Sequence, residues 1–142
     1  MKIGAEDKWF SLCVRQRSGW KCECCGKVYE SGSQGLHCSH FFSRTKRTTR
    51  WHPLNAAAHC MGCHRHLGGN PILFQSWIES HLGKTDYLML LQMAGKTAKF
   101  RKADLKDIAR HYKAQHENQL KQVGYVGFEI SPIIEAKLLE AA

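Results

Sequence analysis

The chain has 142 residues, and its 21 lysines and arginines against 12 aspartates and glutamates give a formal charge of +9. That length suits one domain with a modest core, and the charge points to a polyanionic partner, nucleic acid first. No apolar run approaches the ~20 residues of a spanning helix, and Met1 to Lys8 lacks the apolar stretch of a signal peptide. The expectation is a cytoplasmic protein with no membrane partner.

In chain order, "AEDKWFSLCVRQRSG" places Trp9, Phe10, Leu12, Cys13 and Val14 before Gly19 and reads as a short helix. Residues 36 to 55 are rich in aromatic, threonine and basic residues without helical period, which predicts two short strands joined by the loop "SRTKRTTR". A short helix should run from Cys63 to Leu67 and stop at Gly68 and Gly69. "NPILFQSWIESHLG" then starts another, with Asn70 as N-cap and Pro71 at its first position. Its Phe74, Trp77, Ile78, His81 and Leu82 form one apolar face. A further helix should cover "TDYLMLLQMAG". The longest should begin at Asp104, with Leu105, Ile108, Tyr112 and Val123 on one side and Lys106, Arg110, Lys113 and Lys121 on the solvated face. The tail "GYVGFEISPIIEAKLLEAA" predicts a strand, then a helix capped by Ser131 with Pro132 at its first position.

Chemistry concentrates in the middle of the chain. No acidic residue stands between Glu30 and Glu79, while Arg44, Lys46, Arg47, Arg50 and Arg65 all do, with His37, His40, His52, His59, His64 and His66. A solvated surface normally mixes signs, so this window reads as a phosphate-facing surface. Seven cysteines in a reducing compartment argue for metal rather than a disulfide framework. Cys22 and Cys25, then Cys60 and Cys63, form two CxxC turns that can aim four thiolates at one structural zinc ion, pinning together the ends of residues 26 to 59. Cys24 could replace a member of the first pair, and His59 or His66 could enter a mixed site. Cys13 and Cys38 read as buried thiols.

With zinc assigned to cysteine, the order His40, Asn55, His64 remains. This order, beside the two cysteine pairs, resembles the HNH (ββα-metal) endonucleases, and the blocks "DKWFSLCVRQRSGWKCECCG", "LHCSHFFSR", "TRWHPLNAAAHCMGC" and "LGGNP" are similar to the phage NinG (Rap) recombination nucleases over roughly residues 7 to 83. The resemblance implies a metal-dependent endonuclease acting in phage recombination or DNA processing, on branched DNA such as Holliday junctions. Its expected products carry a 5′ phosphate and a 3′ hydroxyl. It assigns His40 as general base, Asn55 as the brace of the loop that orients it, and His64 as a ligand of the catalytic ion. Many relatives carry an acid just before the base, where this chain has Ser39. His37 and His52 are therefore the candidate further ligands, with Glu79 as a carboxylate from a following helix. Imidazole ligands favour Mn²⁺, Ni²⁺ or Zn²⁺ over Mg²⁺.

Arg44, Lys46, Arg47 and Arg50 would then position DNA phosphates beside His40, and Trp51 would pack under the hairpin or stack on a base. The fold class expected is small α+β, a zinc-stapled ββα-metal core with surrounding helices. Residues 1–21 form an N-terminal helix on the core, 22–69 the zinc-clamped motif, 70–123 a helical extension and 124–142 a C-terminal tail. A two-fold symmetric junction substrate would favour a homodimer. The competing reading is a zinc-stapled DNA-binding module with a decayed catalytic site.

Overall fold

Helix α1 (Ala5–Arg17) forms where the apolar spacing predicts. The Gly4 N–H donates to Asp7 Oδ2 at 3.0 Å, so an acid three residues in closes the helix start. Phe10, Cys13 and Val14 turn one stripe inward, each at most 1% exposed. The computed structural model describes residues 2–123 and 126–141. Met1 and Ala142, at the ends of the expected segments, lie outside them, as do Gly124 and Tyr125 at the start of the expected tail strand.

Among the described residues the fold is α+β, with seven α-helices and one two-stranded antiparallel sheet. Strand β1 (Leu36–His40) pairs with β2 (Ala56–Cys60), His37 standing opposite His59 and His40 opposite Ala56. This corrects the expected hairpin, because the second strand begins after Asn55. "SRTKRTTR" is no simple loop either, since it ends in a short helical turn, α2 (Arg47–Arg50), followed by a 3-10 turn over Pro53–Asn55. Burial decides this. Thr48, Thr49 and Trp51 are all buried, and Tyr112 donates its hydroxyl to the Trp51 carbonyl. Tertiary packing thus overrides the strand propensity of threonine and tryptophan.

Helix α3 (Met61–Gly68) starts directly from β2. α4 (Pro71–Leu82) carries Pro71 at its first turn as expected, but the Asn70 side chain does not cap it. It donates instead to the His66 carbonyl at 2.6 Å and ties α4 to the end of α3. Phe74 and Ile78 are the buried members of the α4 face. α5 (Lys84–Ala94) follows Gly83, whose φ of +84° suits glycine. α6 (Lys102–Leu120) begins two residues before Asp104, whose carboxylate accepts from the Arg101 N–H at 2.8 Å. It ends at Leu120, so Val123 is fully exposed and the buried stripe runs through Ile108, Tyr112, His116 and Gln119. Lys106, Arg110, Lys113 and Lys121 are exposed, as their spacing predicts.

α7 (Pro132–Glu140) is capped by Ser131 Oγ, which accepts from the Ile133 N–H at 3.3 Å. No strand precedes it among residues 126 to 130. That segment lies along α6, where side chains take its backbone groups: Gln115 Oε1 accepts from the Glu129 N–H at 2.9 Å, and His111 Nε2 lies 2.8 Å from the Glu129 carbonyl. The main core joins Phe10, Val14, Trp51, Ile108, Tyr112 and Ile134, and a smaller one joins Trp20, Leu36 and Ala58 beneath the cysteines. No helix among the described residues is long and apolar enough to cross a membrane.

Candidate functional site

The first CxxC lies in a tight knuckle. Gly26, at φ +80°, lets the chain reverse so that Cys22 N–H donates to the Lys27 carbonyl at 2.9 Å. The second lies where β2 becomes α3, with Cys60 as N-cap. The Cys25 and Cys63 N–H groups donate to Cys22 and Cys60 Sγ at 3.5 and 3.4 Å. All four ligand sulfurs lie within 4.8 Å of one another. The Cys25 and Cys60 sulfurs are 3.7 Å apart, against ~3.8 Å for the edge of a tetrahedron with Zn–S bonds of ~2.3 Å. The donor set therefore fits a structural zinc ion. Burial opposes ionisation of Cys22, but the N–H groups of Cys25, Cys60 and Cys24 together bring its thiol down to about 7. Burial and the neighbouring thiols push Cys63 up, as expected of four thiols that cannot all ionise without a cation. Cys24 is exposed and stays outside the cluster, as do His59 and His66.

An acid that the sequence reading passed over completes the clasp. Glu23, between the two knuckle cysteines, accepts from the Ala58 N–H at 2.7 Å through Oε2 and donates its own N–H to the Ala58 carbonyl at 2.7 Å. Its other carboxylate oxygen lies 3.5 Å from His81 Nε2 on α4. Its position between ligands was the only signal, because nothing in the sequence indicates that it reaches β2.

Strand alternation sorts the histidines. His37, Ser39 and His59 share one sheet face, while Leu36, Cys38 and His40 share the other. On the first face, His37 Nδ1 lies 3.1 Å from His64 Nδ1 of α3. This brings together two imidazoles 27 residues apart in sequence. Two nitrogens on one metal at ~2.0–2.1 Å stand ~2.9 Å apart at a right angle and ~3.4 Å apart at the tetrahedral angle, so the pair can share a divalent ion. Beside it, Ser39 Oγ and both His59 ring nitrogens are buried without hydrogen-bond partners among the described residues. His59 packs instead on Trp77, with ring centroids 4.7 Å apart.

On the other face, His40 Nε2 lies 2.9 Å from the Arg50 carbonyl. A carbonyl only accepts, so Nε2 carries the proton and Nδ1 is the free acceptor. Burial lowers the His40 pKa to about 4, against the raising effect of that hydrogen bond and with a further push from Arg44. His64 is also lowered, by burial, then His37, then Arg44. The Arg44 charge thus opposes protonation of both imidazoles. Asn55, fully buried, donates to the Phe42 and Thr49 carbonyls at 3.1 and 3.0 Å and accepts from the Phe42 N–H at 2.8 Å. It braces the turn next to the carbonyl that orients His40, without touching the imidazole. His40 borders an open cleft of about 470 Å³ that Lys8, Arg15 and Arg44 also line.

Three expected site residues, Arg50, His52 and Glu79, belong elsewhere. Arg50 is 5% exposed, and its Nε and Nη2 donate to Asp7 at 2.9 and 2.8 Å, so it links α2 to α1 and cannot face DNA. Burial alone would raise the Asp7 pKa, but Arg50, the Gly4 N–H and Trp51 hold it below the usual value. Trp51, at 1% exposure, packs rather than stacks on a base. His52 caps the 3-10 turn, its Nδ1 accepting from the Leu54 N–H at 3.1 Å, and does not line the His37–His64 pocket. Glu79 does not line it either. Of the four expected phosphate contacts, Lys46 and Arg47 are exposed and Arg44 is half-buried. Compared with known proteins, the chain matches no family model, no curated protein and no solved structure.

Proposed function

We propose that the chain is a metal-dependent DNA endonuclease of the HNH (ββα-metal) type, acting on recombination intermediates such as branched DNA. What supports this most is one arrangement. His40 has its proton-bearing nitrogen committed to the Arg50 carbonyl and borders a cleft that Lys8, Arg15 and Arg44 also line, while His37 and His64 meet on the other face of the same sheet. Asn55 supplies the rigid turn behind His40.

In this reading His40 Nδ1 takes a proton from a water whose oxygen bonds to phosphorus. The bond to the 3′ oxygen breaks, leaving a 5′ phosphate, and the departing oxygen is protonated by solvent to a 3′ hydroxyl. Burial keeps His40 neutral at physiological pH, so the acceptor is always available, though a lowered pKa makes it a weaker base. Arg44 neutralises charge on the phosphate as it builds. His37 and His64, on the opposite sheet face, would hold a divalent ion that supplies further charge stabilisation to the bound DNA backbone. The two imidazoles suit Mn²⁺, Ni²⁺ or Zn²⁺. The four cysteines would hold a structural zinc outside the reaction.

The deciding experiment is a cleavage assay on linear, nicked and four-way DNA across a panel of divalent ions, for the wild type and His40→Ala. Ion-dependent cleavage lost in the variant supports the reading. DNA binding without cleavage under any ion overturns it in favour of a zinc-stapled DNA-binding module, which Ser39 in place of an acid would then explain.

A further inference from the structure

Asp86 and Asp104 bound a second stretch, residues 87 to 103, that has no carboxylate and carries Lys96, Lys99, Arg101 and Lys102. The fold lays this stretch against the first acid-free window. Thr48 Oγ1 donates to the Lys96 carbonyl at 3.4 Å, Arg47 Nη1 to the Phe100 carbonyl at 3.5 Å, and Trp51 meets Phe100 edge to face at 5.3 Å. Between the two segments lies an open cleft of about 360 Å³. Lys46, Arg47 and Thr48 form one wall and Gly95, Lys96 and Thr97 the other, with no carboxylate in the lining. Thr97 also borders a smaller cleft with Lys99, where Glu140 is the one acid.

Several of these cations are unbalanced. Arg101 is paired with Asp104 at 3.6 Å, and Lys96 Nζ donates to the Leu138 carbonyl at 3.0 Å. Lys46, Arg47 and Lys99 are exposed and have no acidic partner among the described residues. The carbonyl end of α5 borders the cleft with ~half a negative charge, which the cations outweigh. Charges of one sign held together around a concave, hydroxyl-bearing surface suit an anion with several acceptor oxygens. Arg44 lines the His40 cleft and Lys46 lines this one. One residue, Thr45, separates them, so their Cα atoms stand at most ~7 Å apart.

We propose that this cleft is a second backbone-phosphate site for duplex DNA, holding a phosphate that flanks the one at His40, with Thr97 and Lys99 extending the grip of Lys46 and Arg47. The proposal rests on the DNA reading above and adds the loop between α5 and α6 to the binding surface. Such contacts set the position of the duplex without reading its sequence.

The test uses opposite charges at one exposed position. Thr97→Glu and Thr97→Lys in the full chain, with Lys99→Gln, are compared with the wild type for affinity to a short duplex over a salt series, after equal melting temperatures show that the fold is kept. Thr97→Glu should weaken binding, and Thr97→Lys should strengthen it and steepen the salt dependence. Lys99→Gln should lower the slope of log affinity against log salt by ~0.9, so that the loss between 50 and 200 mM salt shrinks about 3.5-fold. If both Thr97 variants move affinity the same way, or neither moves it, while Arg44→Gln still weakens binding, the cleft is no phosphate site and the nuclease reading stands. If the wild type fails to bind duplex DNA at low salt, both readings fall. A charge response confined to single-stranded RNA overturns the duplex assignment.

Discussion

His40 Nε2 donates to the carbonyl oxygen of Arg50 at 2.9 Å, while the Arg50 side chain is locked into Asp7. One residue thus orients the candidate base through its backbone and fastens α2 to α1 through its guanidinium. The base is therefore held by the packing of the core rather than by a free loop.

Under the endonuclease proposal, replacing His40 with alanine should cut the cleavage rate by ~10²–10⁴-fold and leave duplex affinity nearly unchanged, because a general base contributes little to ground-state binding. Rate and affinity measured on one substrate check this. With His40 at about 4, the acid limb of the rate profile should lie well below the ordinary histidine range, near 4. An acid limb at ~6.5 would assign the base to another group.

Arg50 and Arg47 should separate stability from binding. Arg50→Gln leaves the Asp7 carboxylate buried without its cation and should cost ~3–5 kcal/mol in urea unfolding. Arg47→Gln, at an exposed position, should change stability by less than ~0.5 kcal/mol. Paired with Arg44→Gln, it should reduce the salt slope of duplex binding by ~1.8. Equal stabilities for the two single variants would contradict the burial of Arg50.

Cys60→Ser should lose the zinc and most of the helical signal, since structural zinc contributes ~10–16 kcal/mol of apparent binding free energy to folded zinc-finger peptides. Metal content by mass spectrometry and far-ultraviolet circular dichroism check it. Cys24→Ser, at the exposed neighbour, should retain one zinc per chain.

Acid should destabilise the fold before its carboxylates titrate. Burial lowers His52 to about 4, and His40 to about 4 as well, while in the unfolded chain histidine titrates near ~6.5. Between these values the unfolded state binds more protons, so stability is fully present above the unfolded value. It is lost as pH falls towards 4, at up to ~1.4 kcal/mol per pH unit for each histidine. Urea midpoints at pH 7 and pH 5 measure the loss. His52→Asn, which keeps an acceptor for the Leu54 N–H, should remove part of it.

The four-cysteine cluster, the proline-led helix starts and the charge were legible in the sequence because each depends on short-range geometry. A CxxC turn aims two thiolates whatever lies around it, proline fits a first helical turn by its fixed φ, and net charge needs no fold at all. Cys22, Cys25, Cys60 and Cys63 converge as their spacing predicts. The hairpin and the arginines were not legible. The threonines and tryptophan of "TTRW" have strand propensity, and only burial against Tyr112 and Phe100 turned them into a helical turn. Arg50 looked like its neighbours Arg44 and Arg47, and what removed it from the surface was a carboxylate 43 residues away. The sequence also named His37 and His64 as candidate partners, but the tertiary structure decided that they meet and that His52 does not join them. Pairing β1 with β2, and starting α3 from the end of β2, brings the first two to one sheet face, while His52 is spent on capping a turn. Contacts within a few residues follow from local backbone preferences. Contacts across tens of residues depend on which loops close, and the burial energy of the whole core decides that.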